Sequence, residues 1–247
     1  PEARNAMSGE MNAALQKALY EAELDPQVGC IVLTGAGKGF CAGGDVKGMA
    51  SSGDGTVGDN TIDGAIHRQR DNQRATAGKL FKMPKPTIAS LPGAAAGAGL
   101  SLALACDLRI MSSNAFMTTA FAKVGFSGDY GGTYFMSQLV GSAKARELYF
   151  LSSRVGAEEA LNLGLTNWIC NPDELESKTM EIAKELANGP TVAYRYMKEN
   201  LNRAMGGEVD ECMDLEASHH IHCGQTEDHK NAVKAFVEKT EPVFKGR

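Results

Sequence analysis

The chain has little of what marks several protein classes. It has 25 Lys and Arg against 30 Asp and Glu, so it lacks the positive excess on which nucleic-acid and anionic-membrane binding usually rely. Its six cysteines are scattered without a Cys-x-x-Cys pair, which in 247 residues is typical of reduced thiols in a cytoplasmic protein. No signal peptide is visible, and the longest weakly polar run, residues 88–106, is too rich in Ala and Gly to span a membrane.

What is present is the composition of a folded α/β protein. Apolar residues make up 43% of the chain, which disfavours disorder and provides for a sizeable core. Short β-branched runs alternate with helical patterns in the first half, and this order predicts an α/β layered core. The predicted strands are residues 30–34, 87–91 and 108–111, and the predicted helices are residues 7–24, 66–82 and 97–105.

The character of the sequence changes after about residue 140. Six successive segments have helical patterns, and a Gly-Pro pair at residues 189–190 interrupts them. We therefore expect a core of residues 1–189 and a C-terminal helical region of residues 190–247. Residues 51–63 are rich in Gly, Ser, Asp and Thr, and this composition predicts a mobile surface loop.

Two glycine-rich turns each follow a predicted buried strand. Residues 35–44 hold five glycines and lead into FCAGGD at 40–45, while GAAAGAG at 93–99 opens a helix. Neither turn has the spacing of a phosphate loop or of a dinucleotide fingerprint. Small side chains let a ligand approach the backbone, and a helix N-terminus favours negative charge. The turns therefore indicate either an oxyanion site in a shared cleft or merely close packing.

Two groups of polar residues are candidates for chemistry. Asp129 lies among small and apolar neighbours in FSGDYGGT at 126–133, where it is either a base with a raised pKa or a turn-capping residue. On a helix His219, His222 and Cys223 would share one face, but no partner pair at a fixed spacing accompanies them. A polar surface helix is the better interpretation of the histidines, and we expect no metal.

Together these motifs resemble the crotonase (enoyl-CoA hydratase/isomerase) superfamily. PEARNAM at 1–7, residues 33–45, residues 85–107 and AFVEK at 235–239 occur in the order found in that family. The resemblance implies an α/β fold, the crotonase/ClpP-type spiral of repeated ββα units with a C-terminal helical trimerisation domain, and a homotrimer or homohexamer. The family's N-terminal strands precede the PEARNAM segment, so we expect the native chain to begin further upstream.

The resemblance also assigns roles to residues. It implies that the N–H groups of Gly44 and Ala98 form an oxyanion hole for the thioester carbonyl of an acyl-CoA, which is the substrate rather than a resident cofactor. It implies CoA contacts from Ala42 and Asp45. It also implies that Phe236 and Lys239, near the C-terminus, reach the CoA of a neighbouring subunit. Residues 51–63 are expected to border the acyl pocket.

The resemblance leaves one carboxylate for the chemistry. Hydratases of the family use two glutamates, and the matching positions hold Ser101 and Phe121, neither of which is a base. Asp129 remains, in a setting similar to that of single-Asp enoyl-CoA isomerases of the phenylacetate-degradation type. The resemblance thus implies that Asp129 shifts the double bond of a 3-enoyl-CoA in fatty acid metabolism or phenylacetate degradation. We expect Phe121 and Phe126 to flank it, desolvate it and line the acyl site.

Three alternatives stay open. The first is a hydratase, a lyase in which Asp129 alone activates water. The second is an acyl-CoA hydrolase or dehalogenase with Asp129 as nucleophile, although the family's dehalogenases carry Trp where this chain has Phe121. The third is a non-catalytic CoA- or RNA-binding relative, and the acidic net charge of −5 disfavours RNA.

Overall fold

The computed structural model describes residues 1–45 and 61–247, and these form two compact units. The first comprises Pro1–Glu21, Val32–Phe81 and Thr87–Thr179. The second comprises Ala22–Ile31, Lys82–Pro86 and Met180–Arg247. The division falls within the helix Leu175–Ala187, ten residues before the expected boundary at residues 189–190, so the Gly-Pro pair lies inside the second unit.

Helices and short strands alternate through the first unit, and helices dominate the second. The helices of the described residues are α1 Gly9–Leu24, α2 Ile62–Ala75, α3 Ala77–Lys82, α4 Ala98–Ala105, α5 Gly132–Leu151, α6 Ala157–Asn162, α7 Leu175–Ala187, α8 Thr191–Ala204, α9 Val209–Gln225 and α10 Glu227–Glu238. The strands are β1 Ile31–Thr34, β2 Thr87–Leu91, β3 Ala95–Ala96, β4 Leu108–Ser112, β5 Phe116–Thr118, β6 Val155–Gly156 and β7 Trp168–Cys170.

The strands form two small sheets. One has the order β1-β2-β4-β7, with β2 and β4 parallel and β4 and β7 parallel. The other has the order β3-β5-β6, with β3 and β5 parallel and β5 and β6 antiparallel. All five residues of β2 and all eight of α4 are buried, so the segment that connects the two sheets lies in the core. Because α4 is buried along its whole length, its first residue, Ala98, is held in a defined position, and this residue belongs to the site described below.

The expected helix over residues 66–82 is two helices, and this part of the prediction is wrong. The backbone leaves helical geometry at Thr76, with φ −117° and ψ −88°, and α3 begins at the next residue. The Thr76 hydroxyl donates to the carbonyl of Asn72 at 2.6 Å, a local bond of the kind that competes with the helical ladder. The predicted loop over residues 51–63 lies outside the described residues up to residue 60, and the hydroxyl of Thr61 then accepts from Gly64 N–H to cap α2.

Candidate active site

The two glycine-rich turns lie side by side, as the cleft interpretation requires. Cys41 pairs with Ala95 as an isolated parallel bridge, its N–H donating to Ala94 at 3.1 Å and its carbonyl accepting from Ala96 at 2.9 Å. A Cβ built on Gly43, where φ is +94°, would lie 2.9 Å from the Ala96 oxygen and 3.5 Å from the Ala98 nitrogen. Only glycine fits this close approach, which brings the two glycine-rich turns together at Ala98.

Two backbone amides at this approach are available to a ligand oxygen. Gly44 forms an isolated parallel bridge with Met7. In this bridge the backbone groups of the residues before and after Gly44 face Met7, so the N–H of Gly44 itself points away from Met7. Ala98 is the first residue of α4, and its N-cap Gly97 has no side chain to cap the helix. The first N–H groups of a helix have no intrahelical acceptor, and the helix dipole favours negative charge there. We name these two N–H groups the amide cradle.

Asn5 organises the turn that leads into the cradle. Its side-chain nitrogen lies within hydrogen-bonding distance of three backbone carbonyls, those of Ala36 at 3.0 Å, Gly39 at 2.9 Å and Phe40 at 3.1 Å. The backbone of Asn5 itself is left-handed, with φ 55°. One amide side chain thus satisfies several carbonyls of this loop, and its importance was not apparent from the sequence pattern.

A cavity of about 580 Å³ adjoins the cradle. Among the described residues its lining holds Gly44 together with two of the positions expected to contact CoA, Ala42 and Asp45. The remaining lining comes from the first residues of the chain: Glu2, Ala3, Arg4 and Ala6. Gly44, Ala42 and Asp45 are therefore brought together, and their roles in binding remain predictions.

The loop that carries Asp129 is held by polar side chains from α1 and α2. We name residues 125–131 the acid loop. Tyr130 has φ 51°, and its N–H donates to Oε1 of Gln73 at 2.6 Å. The Tyr130 hydroxyl lies 3.2 Å from Oδ1 of Asn12, which is buried in α1. Bonds to two separate helices fix the backbone on which Asp129 stands.

Asp129 is a mostly buried carboxyl with few hydrogen bonds. Its Oδ2 accepts from the side-chain amide of Gln69 at 3.4 Å, and its Oδ1 is buried without a partner in the described part of the chain. Burial raises the pKa of Asp129 to about 6, because desolvation disfavours the charged form. A carboxyl with this pKa is ionised near neutral pH and is a much stronger base than an exposed aspartate.

An aromatic wall connects the acid loop to the amide cradle. The rings of Phe121 and Tyr149 stack with centroids 5.9 Å apart and planes 16° apart. A Cβ built on Gly97, next to the cradle, would lie 3.6 Å from the Phe121 ring, and one built on Gly128, next to Asp129, would lie 3.8 Å from it. Phe121 therefore lies between Gly97, next to the cradle, and Gly128 of the acid loop, and its place in the acyl site remains a prediction.

Phe126 does not shield Asp129 as expected. Its side chain is 57% exposed, because the acid loop turns it outward after its N–H bonds to the Phe121 carbonyl. Tyr149, which the sequence did not single out, takes the place next to Phe121. Burial raises the pKa of Tyr149, and the charge of Asp129 raises it further, so the two side chains are electrostatic neighbours.

Ser101 and Phe121, the positions matched to the glutamates of the family's hydratases, are both buried. The Ser101 hydroxyl lies 3.3 Å from the carbonyl of Gly97, within the first turn of α4. No carboxylate stands at either position, and Asp129 is an acid that adjoins this wall through its neighbour Gly128.

The remaining predicted residues lie in the second unit. Phe236 on α10 is 85% exposed, and Lys239 follows the helix with a left-handed φ of 56°. The histidines lie on α9, where His219 stacks on Tyr196 with centroids 4.2 Å apart and its Nδ1 lies 2.6 Å from Oδ1 of Asn200. His219 thus joins α8 to α9, and no group of metal-ligating side chains occurs within the described ranges.

Comparison with known proteins now identifies the family. The sequence profile of the enoyl-CoA hydratase/isomerase family matches residues 1–247. The chain is 33% identical to a 1,2-epoxyphenylacetyl-CoA isomerase of Escherichia coli and 35% identical to a short-chain-enoyl-CoA hydratase of Clostridium acetobutylicum, covering 100% of this chain and 92% of each relative. The chain belongs to the enoyl-CoA hydratase/isomerase family and is an acyl-CoA enzyme of that family.

Solved structures agree with this assignment. An enoyl-CoA hydratase from Polaromonas superposes with a TM-score of 0.91 at 30% identity, covering 99% of this chain and 93% of the other. One from Bacillus anthracis gives 0.90 at 28% identity, covering 100% and 92%. The expected crotonase fold is thereby confirmed. Within the described ranges, no helix is long and apolar enough to cross a membrane.

Proposed function

We propose that the protein is an enoyl-CoA isomerase that moves the double bond of a 3-enoyl-CoA to the 2 position, with Asp129 as its single acid and base. The observation that carries this proposal is the isolation of Asp129. It is mostly buried, Oδ1 has no partner in the described ranges, burial raises its pKa to about 6, and Ser101 and Phe121 occupy the positions matched to the glutamates of the family's hydratases. Isomerisation needs one base, whereas two-glutamate water addition needs two.

The proposed reaction has two proton transfers. The Asp129 carboxylate takes a proton from C2, and the electron pair of the C–H bond moves toward the thioester carbonyl to give a dienolate. The N–H groups of Gly44 and Ala98 hold the oxygen, on which charge develops only as the reaction proceeds. The carboxylic acid of Asp129 then returns the proton at C4, and the C3–C4 double bond becomes C2–C3.

Water addition is the second candidate, because the relative from Clostridium acetobutylicum is named as a short-chain-enoyl-CoA hydratase at 35% identity. The test is to assay purified protein with 3-hexenoyl-CoA for double-bond migration and with crotonyl-CoA for hydration. We expect migration to be the faster reaction by at least about tenfold, since one carboxyl transfers a proton without a second group to orient water. Faster hydration would reverse the assignment.

The proposal also covers CoA binding, the acyl site and the pathway. CoA is held as part of the substrate at Ala42 and Asp45, with Phe236 and Lys239 reaching a neighbouring subunit of a homotrimer or homohexamer. Phe121 lines the acyl group. The pathway is either fatty acid metabolism or, by similarity to the isomerase of Escherichia coli, phenylacetate degradation.

A further inference from the structure

One side chain, that of Tyr149 on α5, adjoins both positions from which the hydratase glutamates are missing. Its ring stacks on Phe121. A Cβ built on Gly132 would lie 2.5 Å from the Tyr149 hydroxyl and 2.3 Å from the Ser101 hydroxyl, so the two hydroxyls meet at the same point of the backbone. Tyr149 therefore fills the space beside the positions where this family's hydratases carry carboxylates.

Tyr149 packs against Gly128 of the acid loop and also lines a neighbouring cavity, which Ser127 of the same loop lines as well. A Cβ built on Gly128, the residue before Asp129, would lie 3.0 Å from Cε1 of Tyr149. The same tyrosine lines a cavity of about 290 Å³, and Phe150, which also lines it, is 71% exposed, so water reaches it. Hydroxyl groups supply much of the cavity's lining: Ser127, Thr133, Ser137 and Ser142. We call the Tyr149 ring the partition, because it adjoins both this cavity and the residue before Asp129.

We propose that Tyr149 is a positioning residue that keeps water away from the Asp129 carboxyl and thereby directs the site toward proton transfer rather than water addition. The second half of this inference rests on the proposed function, whereas the first half concerns the carboxyl alone. Excluding water from a buried carboxyl raises the affinity of the carboxylate for its proton. The exclusion also removes the nucleophile that a hydratase would activate.

The other groups around Asp129 are the same in every variant considered below. The acid loop contributes the phenol of Tyr130, whose own pKa burial raises to about 12, so it is neutral. Helix α2 contributes the uncharged amide of Gln69, and the half-buried Arg68 precedes it on that helix. A difference between wild type and a Tyr149 variant therefore reports on Tyr149.

The experiment titrates Asp129 directly. Full-length protein labelled with ¹³C at the aspartate carboxyl is followed by NMR from pH 3.5 to 8.5, and Asp129→Asn identifies the signal. We expect a midpoint near 6 in wild type, a fall toward about 4 in Tyr149→Ala, and a midpoint near 6 in Tyr149→Phe, which keeps the ring. A Tyr149→Ala midpoint that stays near 6 would overturn the proposal.

A matched control removes bulk from the same helix without opening the partition. Leu148 precedes Tyr149 and is 3% exposed, so Leu148→Ala loses packing but should leave the Asp129 midpoint near 6. An equal fall in Leu148→Ala would show that the shift reflects general loosening and would also overturn the proposal. Should Tyr149→Ala not fold, Tyr149→Leu takes its place; a smaller fall in the same direction is expected, and no fall contradicts the role.

A second readout separates this inference from the proposed function. In Tyr149→Ala we expect the ratio of hydrated to isomerised product to rise about tenfold or more, because water enters beside Asp129. Wild type that isomerises no 3-enoyl-CoA would contradict the proposed function, while a fall in the midpoint would still support the partition. An unchanged midpoint together with active wild type would contradict the partition alone.

Discussion

The side-chain amide of Gln69 on α2 donates to Oδ2 of Asp129 at 3.4 Å, while Oδ1 of the same carboxyl faces no partner in the described part of the chain. One oxygen is thus held in place, and the other has the open valence that the proposed base requires. The arrangement orients the carboxyl without fully stabilising its charge. A single long bond from a neutral donor is a weak counterweight to burial, and the raised pKa of Asp129 reflects this balance.

Gln69→Leu should weaken the site mainly at low pH. Losing the donor destabilises the charged carboxylate, so the pKa of Asp129 rises above 6 and kcat/KM at pH 6 falls by roughly two- to fivefold, with recovery at pH 8. The control is Gln16→Leu, which removes a 2.9 Å bond between Gln16 and Asn72 and leaves Asp129 untouched. Equal pH profiles for the two variants would contradict the role of Gln69.

The rate of the wild-type enzyme should rise with pH through the acid range. Asp129 acts as a base only when ionised, and burial raises its pKa to about 6. We therefore expect kcat/KM for a 3-enoyl-CoA to fall by about tenfold per pH unit below 6 and to level off above 7. A profile that is flat between pH 5 and 7, or that falls as the pH rises through this range, would mean that another group carries the proton.

Asp129→Asn should make the folded protein more stable at neutral pH. The pKa of an aspartate is about 4 in an unfolded chain and about 6 at Asp129, so ionisation opposes folding above pH 6 by up to about 3 kcal/mol. The variant should therefore gain stability relative to wild type at pH 7.5, and the gain should shrink as the pH falls to 4.

Urea unfolding at several pH values measures this difference. Asp71→Asn, at a carboxyl whose side chain is 61% exposed, is the control and should show no comparable gain. An Asp129→Asn protein that is less stable than wild type at pH 7.5 contradicts the view that Asp129 is held at a cost in stability.

Gly43→Ala should damage the amide cradle. The added methyl would lie 2.9 Å from the Ala96 oxygen and 3.5 Å from the Ala98 nitrogen at a backbone φ of +94°, so the two turns must separate. Displacing an oxyanion donor lowers kcat by about 100- to 1000-fold. Gly37→Ala is the matched control, because Gly37 has φ +76° in the same turn and the nearest atom is 3.4 Å away on Pro1. Comparable kcat losses in both variants would assign the effect to backbone strain rather than to the cradle.

Local patterns in the sequence were sufficient to predict much of this architecture. The strand at residues 87–91 and the helix that opens after Gly97 occur as expected, because a β-branched run and a glycine turn act through neighbouring residues. The strands β3, β5, β6 and β7 were missed, since they have two or three residues and too little pattern to detect.

The sequence likewise predicted some residues of the site and not others. Asp129 and the two turns have local signatures, and the structure places Gly43 against Ala98. Gln69, 60 residues before Asp129, and Tyr149, 20 residues after it, become its neighbours only through tertiary packing. Nothing in their immediate sequence distinguishes them from surface residues of a helix.

Turnover of a 3-enoyl-CoA by Asp129→Asn beside wild type at pH 7.5, measured as 2-enoyl-CoA formed over time, tests whether Asp129 is the base. Asparagine keeps the shape of the side chain and removes its basicity. We predict a loss of about 100- to 10,000-fold in kcat, with acyl-CoA binding retained, since general base catalysis contributes this much. Turnover within a few-fold of wild type would show that a group other than Asp129 carries the proton.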